Sequence, residues 1–111
     1  MKTIIVPPPV TILNLITDEP MMINGSSDPW PMWKYLAMYV LTDPAMGKGF
    51  EANHARVQIL RAFKGTVVGE VVLDDDWVKR LQVAVANPAA DIPVWAAIQC
   101  MPFQQAVMEA G

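Results

Sequence analysis

One stretch limits the possible folds more than any other. Val71-Val72-Leu73-Asp74-Asp75-Asp76-Trp77-Val78-Lys79-Arg80-Leu81-Gln82-Val83-Ala84-Val85-Ala86 reads as a short strand running directly into a capped helix. The Asp74 carboxylate suits an N-cap, because it can accept from the free N–H groups of the first turn, and Asp75 and Asp76 add negative charge at the positive end of the dipole. Asp75 with Lys79 and Asp76 with Arg80 are spaced i,i+4 with the acid first, the favourable order. Trp77, Val78, Leu81, Ala84 and Val85 recur at helical spacing and form one apolar face. The rest of the chain must supply the surface that covers this face.

A chain of 111 residues accommodates one core. Its charged share is 17%, below the usual quarter, while 53% of its residues are hydrophobic. So sparse a polar coat predicts that a protein partner or a second copy covers some apolar surface, since small free domains rarely expose large contiguous patches. Net charge is −3 with dispersed basic residues, which argues against a phosphate-tracking surface and hence against nucleic acid as a partner. Cys100 is the single cysteine, so no internal disulfide forms and no thiolate zinc site can be assembled; a small buried hydrophobe is the expected role.

Lys2 to Val6 are β-prone and apolar, but the run is too short for a signal-peptide core, and Pro7-Pro8-Pro9 ends it. The prolines hold the backbone extended and remove three donors, which predicts an extended N-terminal arm over residues 1–9 ahead of a single domain over 10–111. Such a segment either reaches onto a neighbour or folds back as an edge strand. Val10 to Ile16, the turn residues Thr17-Asp18-Glu19-Pro20 and Met21-Met22-Ile23 suggest a hairpin. Asn24-Gly25-Ser26-Ser27 then breaks the chain.

Asp28 and Pro29 predict a helix start, as N-cap and first helical residue, and the run from Trp30 to Leu41 carries one charge, Lys34. Trp33, Leu36, Ala37, Val40 and Leu41 are expected to face the core. That leaves Trp30, Met32, Tyr35, Met38 and Tyr39 as candidate partner-binding residues, together with Pro7, Pro8 and Pro9 of the arm, because aromatic residues and methionine are enriched where proteins meet. Burial of this flank under the hairpin is the competing expectation.

A second helix is predicted from Phe50 to Lys64, with Ala52, Ala55, Ile59, Ala62 and Phe63 inward and Glu51, His54, Gln58 and Arg61 outward. A last helix from Ile92 or Pro93 to about Ala110 should kink or divide at Pro102. The expected fold class is therefore mainly α with a small N-terminal β element, with about four helices packed on a short hairpin.

No catalytic constellation emerges from the residues, and no enzyme, cofactor or metal is expected. His54 is the only histidine and sits among ordinary polar side chains; Ser26 and Ser27 lie in an apparent loop rather than a nucleophile elbow. Asp74-Asp75-Asp76 lacks the spacing of a calcium loop. Gly47-Lys48-Gly49 lacks the spacing of a phosphate loop. Arg56, Arg61, Lys64, Lys79 and Arg80 could line one basic strip if their helices pack side by side.

Taken as a pattern, the chain resembles small proteins encoded by tailed bacteriophages and prophages. The features that carry the likeness are the Met1-Lys2-Thr3-Ile4-Ile5-Val6-Pro7-Pro8-Pro9-Val10-Thr11 opening, the Thr17-Asp18-Glu19-Pro20 turn and the helix ending at Leu41-Thr42-Asp43-Pro44. Gly47-Lys48-Gly49-Phe50-Glu51-Ala52, Leu73-Asp74-Asp75-Asp76-Trp77 and Met101-Pro102-Phe103-Gln104-Gln105-Ala106-Val107 complete it. Trp30-Pro31-Met32-Trp33 departs from it by being unusually apolar. The resemblance implies a virion component or assembly factor, in host cytoplasm or virion, that contacts a phage structural protein or itself. The alternative is a small cytoplasmic regulator or inhibitor that binds a host protein.

Overall fold

A computed structural model describes all 111 residues, Met1 to Gly111. The chain is mainly helical with a two-stranded antiparallel sheet built on its N-terminus. In order it forms β1 (Lys2–Val6), α1 (Met32–Tyr35) continuing as a π-helical turn (Leu36–Val40), a 3-10 turn (Pro44–Met46), α2 (Phe50–Gly65), β2 (Gly69–Leu73), α3 (Asp75–Ala86), α4 (Val94–Gln99) and α5 (Met101–Met108). No helix is long and apolar enough to cross a membrane.

The regular sheet lies outside the expected hairpin, whose two halves run antiparallel but pair only by isolated bridges. β1 pairs with β2, Lys2 opposite Leu73 and Val6 opposite Gly69, so the first strand joins the segment that precedes α3. Residues 2–6 are therefore part of the domain and not a free arm. Alternation explains why: Ile4 and Val6 point inward with Val71 and are buried, while Thr3, Ile5 and Val72 face out. Removing Ile4 and Val6 from water outweighs leaving the strand extended in solvent.

The first helix also departs from expectation. Residues 28–31 are extended and Pro31, not Asp28, occupies the N-cap position. Pro31 disfavours helical backbone at the residue before it, and Trp30 instead forms an antiparallel bridge with Val10. The helix then widens: Leu41 N–H donates to the Leu36 carbonyl, five residues back, at 2.8 Å. Tyr35, Leu36, Tyr39 and Val40 are all buried in this wider turn, so the helix carries almost no outer face.

Around it the core is continuous. Tyr35 meets Phe103 of α5 with ring centroids 6.0 Å apart, and Trp30 meets Trp95 of α4 edge to face at 5.5 Å. Phe63 of α2 and Val78, Leu81, Ala84 and Val85 of α3 close the interior. The remaining indoles are half-buried, and two carry a cation: Lys64 lies over Trp33 at 4.8 Å and Arg80 over Trp77 at 4.7 Å. Pro102 divides the last helix as its chemistry requires, serving in the first turn of α5.

Two arginines and one aspartate fix the turn between the π-helical segment and α2. Arg56 Nε donates to the Leu41 carbonyl at 2.6 Å and one terminal nitrogen donates to the Gly47 carbonyl at 2.8 Å. Arg80 donates to the Met46 carbonyl at 3.1 Å and pairs with Asp76 at 3.2 Å. These two guanidiniums thus satisfy backbone carbonyls and do not form a basic strip. Asp43, the one buried charged side chain, accepts from Ala45 N–H at 2.8 Å and from Ala89 N–H at 2.9 Å. Asp74 stands at the N-cap of α3 without a side-chain cap bond, and Asp75 pairs with the Met1 amino group at 3.0 Å rather than with Lys79.

Candidate functional site

The residues expected to bind a partner are mostly interior. Trp30, Met32, Tyr35 and Tyr39 are buried, which corrects the expected flank: a helix apolar on nearly every side is a core helix, and here α2, α3 and α5 pack against it. Burial raises the phenol pKa values of Tyr35 and Tyr39, Tyr35 against the opposing hydrogen bond of Gln104. Met38 alone of the helix candidates is exposed, at 43%. Pro7 and Pro9 are half-buried and Pro8 is exposed, beyond the end of β1.

The apolar surface left over lies elsewhere, first of all on the segment that separates β1 from α1. Its neck is closed by a reciprocal pair, Val10 N–H to Trp30 carbonyl at 2.8 Å and Trp30 N–H to Val10 carbonyl at 2.7 Å. Inside the neck, Met21 donates to Ile12 and Asn14 to Glu19, each at 2.8 Å, so the two halves run antiparallel without a continuous ladder. Pro20 stands opposite Leu13 and has no donor to extend the pairing. The loop is stitched to the body by Gln99 of α4, whose Oε1 accepts from Leu13 N–H at 2.6 Å while its Nε2 donates to the Leu13 carbonyl at 2.7 Å.

The tip is built, not slack. Asn14 Oδ1 accepts from the N–H groups of Ile16 and Thr17 at 2.9 and 3.2 Å, and Asp18 closes the turn with φ of 58°. This Asx turn presents Ile16 to solvent with 93% of its surface exposed and Leu15 with about half. A second turn, Ile23-Asn24-Gly25-Ser26, has positive φ at both central residues (51° and 80°) and reciprocal Ile23–Ser26 bonds. That geometry is the two-residue turn an Asn-Gly pair favours.

Toward the C-terminus, Val94 and Ile98 are exposed one turn apart on α4, and Met101 is exposed at the start of α5. Gln99 lies beside Ile98 and holds Leu13, so α4 and the loop share one scaffold. Elsewhere, His54 is exposed and stacks on an equally exposed Phe50, with ring planes 13° apart. Cys100 is fully buried and burial pushes its thiol up to about 11. No three His, Cys, Asp or Glu side chains converge on a point where they could hold a metal ion. What this surface can do chemically is exclude water against another apolar surface.

Comparison with known proteins brings no relative: no family model, no curated protein and no solved structure matches the chain.

Proposed function

We infer that this chain is a non-enzymatic interaction protein, and that it serves a tailed-phage particle as an assembly factor or minor structural component. The observation that carries the interaction reading is the presentation of Ile16. An isoleucine almost wholly exposed on a turn held by two side-chain hydrogen bonds gains nothing for the isolated fold. Such residues are typical of contact loops, which are positioned by a rigid scaffold and become buried when the partner arrives. Leu15, Met22, Val94, Ile98 and Met101 extend the same character over the loop, α4 and the start of α5. The phage setting rests on the sequence pattern, and a contact surface without a catalytic constellation is compatible with it.

The experiment is incorporation. Wild type and Ile16→Asp are supplied in turn during particle production, and each is quantified in purified particles by mass spectrometry. The reading expects the wild type in the particles and the variant depleted about tenfold or more, as for loss of a central anchor. Equal incorporation of both would remove the Ile16 surface from the argument. Absence of both, with a host protein retained on the immobilised wild type, would favour the regulator instead.

A further inference from the structure

We propose that the outer face of α2, with the hollow between it and the π-helical turn, is the surface through which two copies of this chain pair as an antiparallel, two-fold dimer. The inference does not rest on the Ile16 surface.

The helix itself supplies the first argument. Ala52, Ile59 and Phe63 turn one side of α2 to the core, and Phe50, His54, Val57 and Arg61 recur at i, i+4, i+7 and i+11 along the opposite side. Phe50 is 86% exposed and its ring lies nearly parallel to that of exposed His54, so it projects from the body instead of turning inward. Val57, two turns further on, is about half exposed. An outward phenylalanine and valine on one ridge contribute little to the isolated fold.

The second argument is shape. Beside Val57 lies a hollow of about 200 Å³, walled by Ala37 and Leu41 of the π-helical turn and by Val57 and Leu60 of α2. Its one charged residue, Arg56, is already engaged, donating to the Leu41 and Gly47 carbonyls and to Asn53 Oδ1. An apolar occupant therefore suits it better than a charged one. Phe50 and Val57 are about 10 Å apart along the helix axis. When a second α2 lies antiparallel across the first, with the two-fold axis passing near His54, the Phe50 ring of each copy comes over the hollow of the other. One rotation thus covers both exposed rings and fills both hollows. A foreign protein that filled the hollow would leave Phe50 bare unless it carried a matching hollow of its own.

Charge supplies the third. Glu51 stands in the first turn of α2 and Arg61 near its end, within a quarter turn of each other around the helix; both are exposed, and neither is ion-paired within the chain. Antiparallel pairing carries Glu51 of each copy toward Arg61 of the other, whereas parallel pairing sets like charges side by side. Lys64, held over Trp33, adds positive charge at the same end as Arg61. A face about 24 Å long and two helices wide offers roughly 500 Å² per copy, the low end for a specific contact, so the dimer should form at high concentration and dissociate on dilution.

The test is the oligomeric state of the whole chain, read by sedimentation equilibrium from about 10 µM to about 1 mM, the range in which so small a contact should titrate. Wild type should pass from monomer to dimer across it. Phe50→Ala withdraws the ring and Val57→Glu puts a charge at the mouth of the hollow; each should raise the dimer dissociation constant about tenfold or more while the urea midpoint holds. Glu51→Arg and Arg61→Glu should each weaken the dimer about threefold or more, and the two together should restore it, as exchange of an intermolecular pair requires. His54→Cys should give a disulfide-linked dimer on mild oxidation, because position 54 lies near the axis, and Gln105→Cys on α5 should not. A wild type still monomeric at about 1 mM, whatever else binds this face, would overturn the proposal, as would a dimer indifferent to Phe50→Ala or a charge-exchanged double variant no tighter than the single ones. If Val57→Glu fails to fold, Phe50→Ala and the cysteine pair still decide.

Discussion

Asp43→Ala is the substitution whose cost follows most directly from the structure. The carboxylate is 7% exposed and accepts two backbone N–H groups, from Ala45 two residues on and from Ala89 forty-six residues on. A hydrogen bond to a charged group contributes about 1.5–3 kcal/mol, but Ala89 is exposed and water replaces most of what it loses, while the Ala45 bond acts as a cap worth about 1 kcal/mol. The net expectation is a loss of about 2 kcal/mol for Asp43→Ala, and about half that for Asp43→Asn, which keeps one acceptor. In a domain of this size that lowers Tm by about 8 °C for the alanine variant. Ala89→Pro deletes the long-range bond from its other end. A double-mutant cycle of Asp43→Ala with Ala89→Pro, followed by urea unfolding, should give a coupling of about 0.5–1 kcal/mol. A cost below about 0.5 kcal/mol for Asp43→Ala, or additive effects of the pair, would refute the assignment of Asp43 as the tie between the α1–α2 turn and the α3–α4 linker.

The other predictions are shorter. Ile4→Ala should destabilise by about 2–4 kcal/mol and Ile5→Ala by less than about 1, because the first side chain is fully buried and the second is not; equal small costs in chemical denaturation would restore the free arm. Gln99→Ala should leave the core intact but speed amide exchange in the 12–24 segment, where the two bonds to Leu13 are lost; unchanged exchange there would show that the loop is held by other means. The Cys100 thiol, ordinarily near 9.0 and raised to about 11 by burial, stays protonated in the fold while the unfolded chain ionises. Its contribution is therefore complete below about pH 9 and is lost as pH rises toward 11, with Tyr35 and Tyr39 adding in the same direction higher up. Urea midpoints that hold steady from about pH 8 to about pH 10 would contradict this, as would rapid native-state reaction with a thiol reagent.

The helices that were legible are those whose own sequence decides them. α2 and α3 carry one apolar stripe each, and the residues assigned outward on α2, Glu51, His54, Gln58 and Arg61, are all exposed. Pro102 announced the break between α4 and α5. One local signal was present and went unread, Pro31, which holds Trp30 extended and delays α1; Asn24-Gly25, expected only as a break in the chain, forms the tight turn that this pair favours. The partner of β1 was not legible in the same way. Lys2 and Leu73 are seventy-one positions apart, and nothing in either strand names the other. Most of the residues expected to meet a partner are interior for a related reason: composition says how much apolar area there is, while topology alone says which part of it is covered.

That distinction also explains why so apolar a chain folds as one body and still leaves apolar side chains exposed. Its exposed surface of 6420 Å² is close to the roughly 6,100 Å² expected for a folded chain of this mass, so the excess is in the character of the surface and not its extent. The interior takes most of the first helix, Met32, Tyr35, Leu36, Tyr39 and Val40, and α2 and α3 turn their charged faces to water. The apolar residues left outside include Leu15, Ile16 and Met22 on the loop and Val94, Ile98 and Met101 on α4 and α5, the elements Gln99 ties together. If that clustering serves contact, Ile16→Asp should leave unfolding free energy within about 0.5 kcal/mol of wild type while abolishing association. A variant that instead loses stability by several times that amount would show that Ile16 packs on its own chain in solution, and the loop would then be part of the core's cover and no longer its contact surface.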